Sequence, residues 1–342
     1  MLRASANSGL VLATQRLNSI TGRDTRVFRV TTVLFTCSGM RVDVVTAFQD
    51  AGATTVAADA DPLAPTLHHA DEHFLVPRVD DPTYIPSLAE IVRERGVGLV
   101  IPVTDIDSVQ LAQRRDELGA PLLLPDTEIV VKTADKYEAH RLFEQHGIPS
   151  PPSWLPGEVP GDARYPLLVK SRFGYGSRNI YRAEDRRQLD FFLGYTPVES
   201  FVQTCCLGEE FSIDVLCDFE GRCLNAIPRT MILSKGGESI QGMTIKDREL
   251  IEAARRLAEA LPLKGPATIQ VFREDGEYRV TDVNPRFGGA FPLPLAAGGN
   301  YPELVLAMTA GERPEPRVGE FREGVVMTRF YSSLALEPQA SL

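Results

Sequence analysis

Residues 268–286 read TIQVFREDGEYRVTDVNPR, and the rest of the chain can be organised around this stretch. Two runs rich in β-branched and aromatic residues flank Asp275-Gly276, a dipeptide typical of tight hairpin turns. A three-residue connection would pair Gln270 directly with Asp282. A two-residue connection would shift the register and place these two side chains on different faces of the sheet.

The direct pairing would assemble a cluster of oxygen ligands. Asn284 lies two residues beyond Asp282 and shares its face, so that Gln270 completes a set of one carboxylate and two amides. Hard cations such as Mg²⁺ take such ligands, with water and phosphate oxygens completing the shell. Arg286 follows and could bind an anion. The alternative is an ordinary hairpin with polar residues on its solvated face.

The composition indicates a globular chain of two domains. It has 342 residues, of which 43% are hydrophobic and 24% charged, and a formal net charge of -10. This acidic balance argues against a nucleic-acid-binding surface, and no apolar run is long enough to cross a bilayer. The five cysteines are odd in number and form no C-x-x-C pair, which favours reduced packing residues in a cytoplasmic protein.

The ends of the chain differ from its middle. Residues 1–29 carry five arginines and one acid, a composition that resembles a transit peptide, and we interpret them as a flexible N-terminal tail. Residues 336–342 form a short C-terminal tail in the same interpretation.

Strands and helices alternate over residues 30–128, which predicts a parallel sheet. Strands are predicted at 30–35, 54–58, 97–102 and 122–124, and helices at 42–51 and 84–95. The first turn, residues 36–40, lacks G-x-G-x-x-G, so a dinucleotide-dependent dehydrogenase is disfavoured. Three aspartates, Asp59, Asp105 and Asp107, follow strands, so they could face a substrate at the carboxyl ends of the sheet or act as helix caps, and we favour capping for each. The histidines of residues 68–73 are interpreted as part of a surface segment rather than a metal site.

A hinge and a glycine-rich loop follow this domain. A helix is predicted over residues 132–147, with Thr133 or Asp135 as its cap, and prolines in residues 148–152 end it. A strand at 166–170 then ends in a lysine and leads into residues 171–179, which contain Gly174 and Gly176. Such a loop can bring backbone N–H groups close to phosphate oxygens, although a hairpin tip without a ligand would look the same.

In this order the motifs resemble the ATP-grasp superfamily, and within it the group like the large subunit of carbamoyl phosphate synthetase. The matching segments are 166–170 with its glycine loop, 203–210, Gln270, and Asp282-Val283-Asn284-Pro285-Arg286. The resemblance implies an α/β and α+β fold, in which a Rossmann-like (pre-ATP-grasp) domain, 30–128, precedes an ATP-grasp domain, 129–335. A smaller lid lobe would occupy about residues 150–203.

The resemblance also implies a role for individual residues. Those that would bind ATP are Lys136 and Lys170 at the phosphates, Gly174, Gly176 and Ser177 in the covering loop, Gln203, Thr204 and Cys206 at the adenine, and Glu210 at the ribose. Those that would hold one or two Mg²⁺ ions, or Mn²⁺, are Gln270, Asp282 and Asn284. Arg286 would support the transferring phosphoryl group, and Arg229 and Lys235 would face the acceptor.

Two positions depart from the family pattern. Asp282 stands where glutamate is usual, and its shorter side chain leaves the number of metal ions open. Cys205-Cys206 replaces an aromatic or aliphatic pair at the adenine slot.

The activity that the resemblance implies is ATP-dependent ligation of a carboxylate to an amine through an acyl phosphate, with release of ADP and phosphate. The expected partners are a small acid, such as an amino acid, and an amine, and a homodimer is the default assembly. The alternatives are a non-catalytic ATP-binding sensor or scaffold and a single carbamoyl-phosphate-synthetase-like half. The acceptor pocket is expected between the first domain and residues 286–300, with Phe287 and Phe291 as aromatic walls.

Overall fold

The first sheet of the computed structural model is parallel and has the strand order β3-β2-β1-β4. The structure describes residues 31–174, 179–235 and 238–336. The four strands are β1 (Thr32–Thr36), β2 (Thr54–Asp59), β3 (Glu72–Leu75) and β4 (Leu99–Pro102), and the first two helices are α1 (Val42–Asp50) and α2 (Tyr84–Arg95). Val33 packs in a cluster with α1, whereas Leu34 packs in a cluster with α2, so helices cover both faces. The predicted Rossmann-like domain is therefore confirmed.

Two details of this sheet differ from the expectation. The predicted strand at 122–124 makes a single bridge, between Val100 and Leu122, because Pro121 and Pro125 on either side of it have no N–H to donate. The fourth strand is instead β3, which the sequence interpretation treated as a surface segment. The surface position is confirmed, since the side chains of β3 are mostly exposed, but its pairing with β2 was missed because a short edge strand lacks the apolar pattern of a buried strand.

A buried aspartate divides the next helical segment. The predicted single helix over 132–147 is two helices, α4 (Thr127–Ala134) and α5 (Lys136–Gln145), preceded by the short α3 (Ser108–Gln113). Asp135 has an extended backbone between them, and its carboxylate accepts hydrogen bonds from the N–H groups of Tyr137 and Glu138. The predicted cap at Asp135 is thus confirmed, and Lys136 becomes the first residue of α5.

A small antiparallel sheet, in the order β5-β8-β6-β7, forms the predicted lid region. Its elements are β5 (Ser153–Trp154), β6 (Leu167–Ser171), β7 (Ile180–Ala183), α6 (Arg186–Tyr195) and β8 (Ser200–Thr204). Leu167 and Val169 are buried in a cluster with Leu189 of α6. Because side chains alternate along a strand, Lys170 projects from the opposite face.

The largest sheet is antiparallel and has six strands in the order β13-β12-β9-β10-β11-β14. Its strands are β9 (Glu209–Cys217), β10 (Cys223–Lys235), β11 (Glu238–Thr244), β12 (Gly265–Glu274), β13 (Glu277–Asn284) and β14 (Val326–Thr328). The last three helices are α7 (Arg248–Ala260), α8 (Pro292–Ala296) and α9 (Tyr301–Thr309). One face of this sheet packs against α7, through contacts such as Ile213 and Ile269 with Leu257. The other face carries the polar residues described below.

The β12–β13 hairpin reaches the expected pairing by an unexpected route. Its connection is the two-residue turn Asp275-Gly276, both at positive φ as a type I′ turn requires. The expectation that such a turn would separate Gln270 from Asp282 is wrong, because the register shifts by one residue between Val280 and Asp282. A β-bulge at Thr281 absorbs the extra residue and brings Asp282 opposite Gln270.

All of these elements lie in one unit of the chain, Thr31–Leu342. The boundaries proposed within it, at 128/129 and at 150–203, remain predictions. The tail assigned to 1–29 and most of that assigned to 336–342 lie outside the described residues. In the part that the structure describes, no helix has the length and apolarity needed to cross a bilayer.

Candidate functional site

The polar face of the six-stranded sheet collects five of the predicted site residues, which are Glu210, Arg229, Gln270, Asp282 and Asn284. In the register of the sheet, Gln270 lies opposite Ser212 on one side and Asp282 on the other. Side chains that alternate along the strands therefore share this face, namely Glu210, Ser212 and Asp214 of β9, Arg229 of β10, Thr268 and Gln270 of β12, and Asp282 and Asn284 of β13. The sheet thus brings the three predicted metal ligands to neighbouring positions.

Two lysines from different parts of the chain surround the Asp282 carboxylate. The Lys136 Nζ atom lies 2.8 Å from Asp282 Oδ2, and both side chains are largely buried. Burial alone would raise the pKa of Asp282, but the positive charges of Lys136 and Lys170 and a hydrogen bond from Asn284 outweigh burial and hold that pKa below its usual range. Asp282 is therefore ionised at neutral pH.

Lys170 is held by an amide rather than by an acid. Its Nζ atom donates to Gln203 Oε1 at 3.1 Å, and Gln203 Nε2 donates to Ser153 Oγ at 2.9 Å. The ammonium also lies 5.8 Å from the centroid of the Phe201 ring. Burial lowers the pKa of Lys170 to about 8, with Asp282 opposing this effect and the Lys136 charge adding to it. The placement of Gln203 along the adenine edge, mostly through backbone groups, stays a prediction, and the structure adds that its side chain orients Lys170.

The donor set at Asp282 suits a magnesium ion that is shared with a nucleotide. Within residues 31–174, 179–235 and 238–336, no three His, Cys, Asp or Glu side chains converge as a complete protein-only metal site would require. Asp282 supplies one carboxylate, and Gln270 and Asn284 supply two amides. These three side chains suit a cation whose remaining ligands are phosphate oxygens and water. Lys136 provides the positive charge beside Asp282 in this structure.

The glycine loop is only partly within the described residues. Gly174 has a φ of 112°, a backbone conformation that residues other than glycine rarely adopt. It lines the same cavity as Lys136 and Asn284. Gly176 and Ser177, and likewise the side chain of Lys235, lie outside the described part of the structure.

The predicted adenine strip follows β8. The backbone N–H groups of Thr204 and Cys205 already donate to the carbonyls of Pro152 and Pro166. The N–H of Cys206 has no hydrogen-bond partner in the portion of the chain that is described, so it can donate to a ligand. Burial raises the pKa of the Cys206 thiol to about 11, which keeps this side chain neutral and apolar.

Glu210 lies near the same strip, at the start of the polar face. Burial raises its pKa, although the positive charges of Arg229 and Lys170 oppose this effect. A half-buried carboxylate between two cations can accept hydrogen bonds from hydroxyl groups, as the ribose assignment requires.

Arg229 is buried and paired with an aspartate that sequence reasoning missed. Its Nε atom donates to Asp214 Oδ2 at 2.9 Å, and both side chains are 4% exposed. Thr268 donates to the other oxygen of Asp214, and a Cβ on Gly288 would come within 2.4 Å of both Asp214 and Thr268. The Arg229 Nη1 atom is also buried, and it has no hydrogen-bond partner among the described residues. Side chains alternate along β9, so Asp214 lies on the same face of the sheet as Glu210. This spacing was the sequence signal that could have revealed the contact between Asp214 and Arg229.

Arg286 joins the six-stranded sheet to the N-terminal domain. Its Nη2 atom lies 3.1 Å from Asp105 Oδ2, 181 residues away in sequence. Arg41 makes a second link, donating at 3.0 Å to the carbonyls of Phe287 and Gly288. The interpretation of Asp105 as a helix cap is wrong, because Asp107 precedes α3 and the Asp105 carboxylate pairs with Arg286 instead.

The acceptor pocket does not have the predicted aromatic walls. Phe287 and Phe291 are each 1% exposed and pack in the core with Phe48 of α1, so neither faces a ligand. A cavity of about 280 Å³ lies instead beside Pro285 and is lined by Asp105 and Lys136 among other residues.

The chain was compared with models of known protein families, and two match. Residues 33–122 match the PylC-like N-terminal domain, and residues 197–331 match the family described as ATP-grasp in the biosynthetic pathway with Ter operon. The first matched segment covers the parallel sheet except for Thr32, and the second covers all six strands of the antiparallel sheet.

Relatives and solved structures agree with these matches. The carbamoyl phosphate synthase large chain of Deinococcus radiodurans is 23% identical over an alignment of 319 residues that covers 82% of this chain and 30% of the relative, so this chain spans less than a third of that protein. The biotin carboxylase domain dimer of Hydrogenobacter thermophilus 2-oxoglutarate carboxylase, solved with MgADP, matches 86% of this chain and 73% of that one, with a TM-score of 0.70 and 17% identity. The L-amino acid ligase of Bacillus licheniformis matches 86% and 77%, with a TM-score of 0.66 and 18% identity.

Proposed function

We propose that this chain is an ADP-forming ATP-grasp ligase that joins a carboxylic acid to an amine through an acyl phosphate, supported by the matches of residues 197–331 to an ATP-grasp family and of residues 33–122 to the PylC-like N-terminal domain. The observation that carries this proposal is the arrangement of Lys136 and Lys170 around the Asp282 carboxylate. Two cations and one anion at the junction of the lid region and the central sheet suit a triphosphate with its magnesium ion.

The lysines would neutralise the phosphates of ATP. Lys136 is placed by the capped start of α5 and Lys170 by the Gln203 amide, so both ammonium groups are positioned before a nucleotide binds. On nucleotide binding, Lys136 would exchange its contact with Asp282 for a phosphate oxygen. Mg²⁺ held by Asp282, Gln270 and Asn284 would neutralise charge on the transferring phosphoryl group.

Adenosine would lie along the strip after β8. The N–H of Cys206 is available to the adenine edge, and the neutral thiol offers an apolar contact. Glu210 would accept hydrogen bonds from the ribose hydroxyls. With the nucleotide in this orientation, the γ-phosphate points toward Asn284 and Arg286.

Arg286 and Arg229 would act on the acid. A carboxylate oxygen of the acid attacks the γ-phosphate, the bond between that phosphorus and the bridging oxygen breaks, and ADP leaves. The Arg286 guanidinium would stabilise the resulting acyl phosphate, since its bidentate geometry matches a carboxylate or phosphate. Arg229, which is held in the sheet by its buried ion pair with Asp214, would add positive charge near the acid.

ADP release tests the proposal directly. The protein is incubated with MgATP and a panel of carboxylic acids, with and without amines, and ADP and phosphate are measured. We expect one acid to support ADP release that an amine accelerates. Nucleotide binding without turnover on any acid of a broad panel would contradict the proposal and favour a non-catalytic sensor.

A second readout isolates the first half-reaction. Hydroxylamine is a small nucleophile that converts an acyl phosphate into a hydroxamate. Formation of a hydroxamate that depends on both ATP and the acid would identify the acyl phosphate without requiring the natural amine.

A further inference from the structure

We infer that the cavity of about 280 Å³ beside Asn284 receives the apolar side chain of the amine substrate, with the amine group at its Asp105 end. This inference rests on the proposed ligase function and adds a substrate class to it.

The position of the cavity connects it to the phosphoryl-transfer site. Its walls come from three parts of the chain, namely Val109 of α3 in the N-terminal domain, Val130 of α4, and Phe173 in the lid region. Lys136 and Asn284 also line it, so it opens beside the residues proposed to hold the triphosphate and its metal. A substrate in the cavity would therefore lie next to the acyl phosphate.

The interior of the cavity is apolar. Among the described residues, the two hydroxyl groups in its wall are already used, since Ser108 Oγ donates to the Thr104 carbonyl at 2.9 Å and Thr133 Oγ1 donates to the Ile129 carbonyl at 2.8 Å. Apart from Asp105, Lys136 and Asn284, the other described side chains of the lining are aliphatic or aromatic, such as that of Val130. A dry cavity of about 150 Å³ can hold benzene, so about 280 Å³ holds one side chain of leucine or phenylalanine size but not a long peptide.

Two large apolar side chains at the rim are exposed. Ile106 is 52% exposed and Phe173 is 55% exposed, although they come from the N-terminal domain and the lid region respectively. Exposed apolar groups that converge on one cavity from separate lobes indicate a contact with a ligand. Closure of the lid region would bring Phe173 toward Ile106 and bury the side chain between them.

The hydrogen-bonding groups at the mouth favour an amine. Among the described residues that line the cavity, Asp105 is the one acid and Lys136 the one base, and both are paired, Lys136 with Asp282 and Asp105 with Arg286. Both Arg286 contacts reach Asp105 Oδ2, which leaves Oδ1 without a partner among the described residues, and the Asp105 side chain is 33% exposed. An ammonium group can donate a hydrogen bond to Oδ1, whereas a carboxylate has no hydrogen to donate.

The test compares amines of different side chains in the wild-type protein and in variants of Val109, which is half-buried. For each variant, the rate of amide formation with glycinamide, alaninamide, leucinamide, phenylalaninamide, the α-amide of glutamate or lysinamide is divided by the hydroxamate rate of that variant. This ratio removes any effect on the shared first step. Val131→Phe is the matched control, because Val131 adjoins Val130 on α4 but is 38% exposed and lies outside the cavity lining.

We expect the wild type to prefer leucinamide over glycinamide and over lysinamide by about 10-fold or more. Val109→Phe, which fills the cavity, should reduce the leucinamide preference by about 10-fold, and Val131→Phe should keep it. Should Val109→Phe fail to fold, Val109→Ala enlarges the cavity and should move the preference toward phenylalaninamide.

Three results would overturn the inference. A wild type without a preference for apolar side chains, or a preference that both Val109 variants leave unchanged, would remove the cavity from the amine site while hydroxamate formation still supports the ligase. A complete absence of hydroxamate with every acid would instead overturn the ligase proposal and this inference together.

Discussion

The Lys136 ammonium lies 2.8 Å from the Asp282 carboxylate, although 146 residues separate them in sequence. The contact joins the first residue of α5 to the bulged strand β13. The Lys136 ammonium therefore balances the charge of the one carboxylate in the proposed metal-ligand set.

Asp282→Asn should abolish turnover. The amide keeps the shape of the side chain but removes the negative charge, so magnesium loses its one anionic protein ligand and Lys136 its partner. We expect ADP release to fall about 100-fold or more, measured at saturating MgATP. The melting temperature serves as the control for folding. A variant that keeps most of its activity would show that Asp282 is not the metal ligand.

Nucleotide affinity should depend on the charge of Lys170. Burial lowers its pKa to about 8, so the ammonium that binds phosphate is present below pH 8 and is lost as the pH rises through that value. We expect ATP affinity, measured by calorimetry in several buffers, to fall between pH 7 and pH 9.5. Lys170→Arg should weaken this pH dependence, since a guanidinium stays charged over the range. An affinity that is flat with pH in the wild type would remove Lys170 from the phosphate site.

Arg286→Gln should lower kcat with little change in ATP affinity. The guanidinium is proposed to act on the acyl phosphate rather than on the nucleotide, so its loss affects the transition state. We expect a decrease of about 100-fold in the hydroxamate rate. The matched control is Arg313→Gln, because Arg313 forms an exposed pair with Glu220 at 2.7 Å whose loss should leave the rate unchanged. Equal effects of the two substitutions would contradict the assignment.

Gly288→Ala should destabilise the fold, whereas Gly289→Ala should not. A Cβ at Gly288 would lie 2.4 Å from the oxygens of Asp214 and Thr268, but one at Gly289 would meet nothing within 4 Å. We expect Gly288→Ala to lower the free energy of unfolding by about 1–3 kcal/mol, measured by urea denaturation. Indistinguishable unfolding curves for the two variants would show that the loop moves away from the Asp214 pair at no cost.

The sequence predicted the elements whose pattern is local. The helix Tyr84–Arg95 was predicted with its observed bounds, because its apolar spacing is helical and Gly96 ends it in a left-handed conformation. The Rossmann-like domain and the ATP-grasp fold were likewise predicted, since alternating strands and helices and a set of ordered motifs are properties of the chain itself. The short edge strand β3 was missed because nothing in its pattern distinguishes it from a loop.

Contacts between distant segments could not be predicted in this way. The ion pair of Arg286 with Asp105, the burial of Arg229 against Asp214, and the use of Gln203 to hold Lys170 each depend on how separate elements pack. The burial of Phe287 and Phe291 in the core removed the predicted aromatic pocket for the same reason. Residue type indicates which partners are chemically suitable, but only the fold selects one of them.

The amino-acid sequence by itself determined the residue types and the alternation that give the six-stranded sheet one apolar and one polar face. The tertiary structure decided which residues of that polar face, and of other segments, come together in the candidate site. The bulge at Thr281 sets Asp282 opposite Gln270, and the cap at Asp135 aims Lys136 at the same carboxylate. The physical reason is that side-chain alternation has a period of two, so one inserted residue moves a carboxylate from the core to the site. Such an insertion is fixed by pairing and packing across the sheet rather than by local preference.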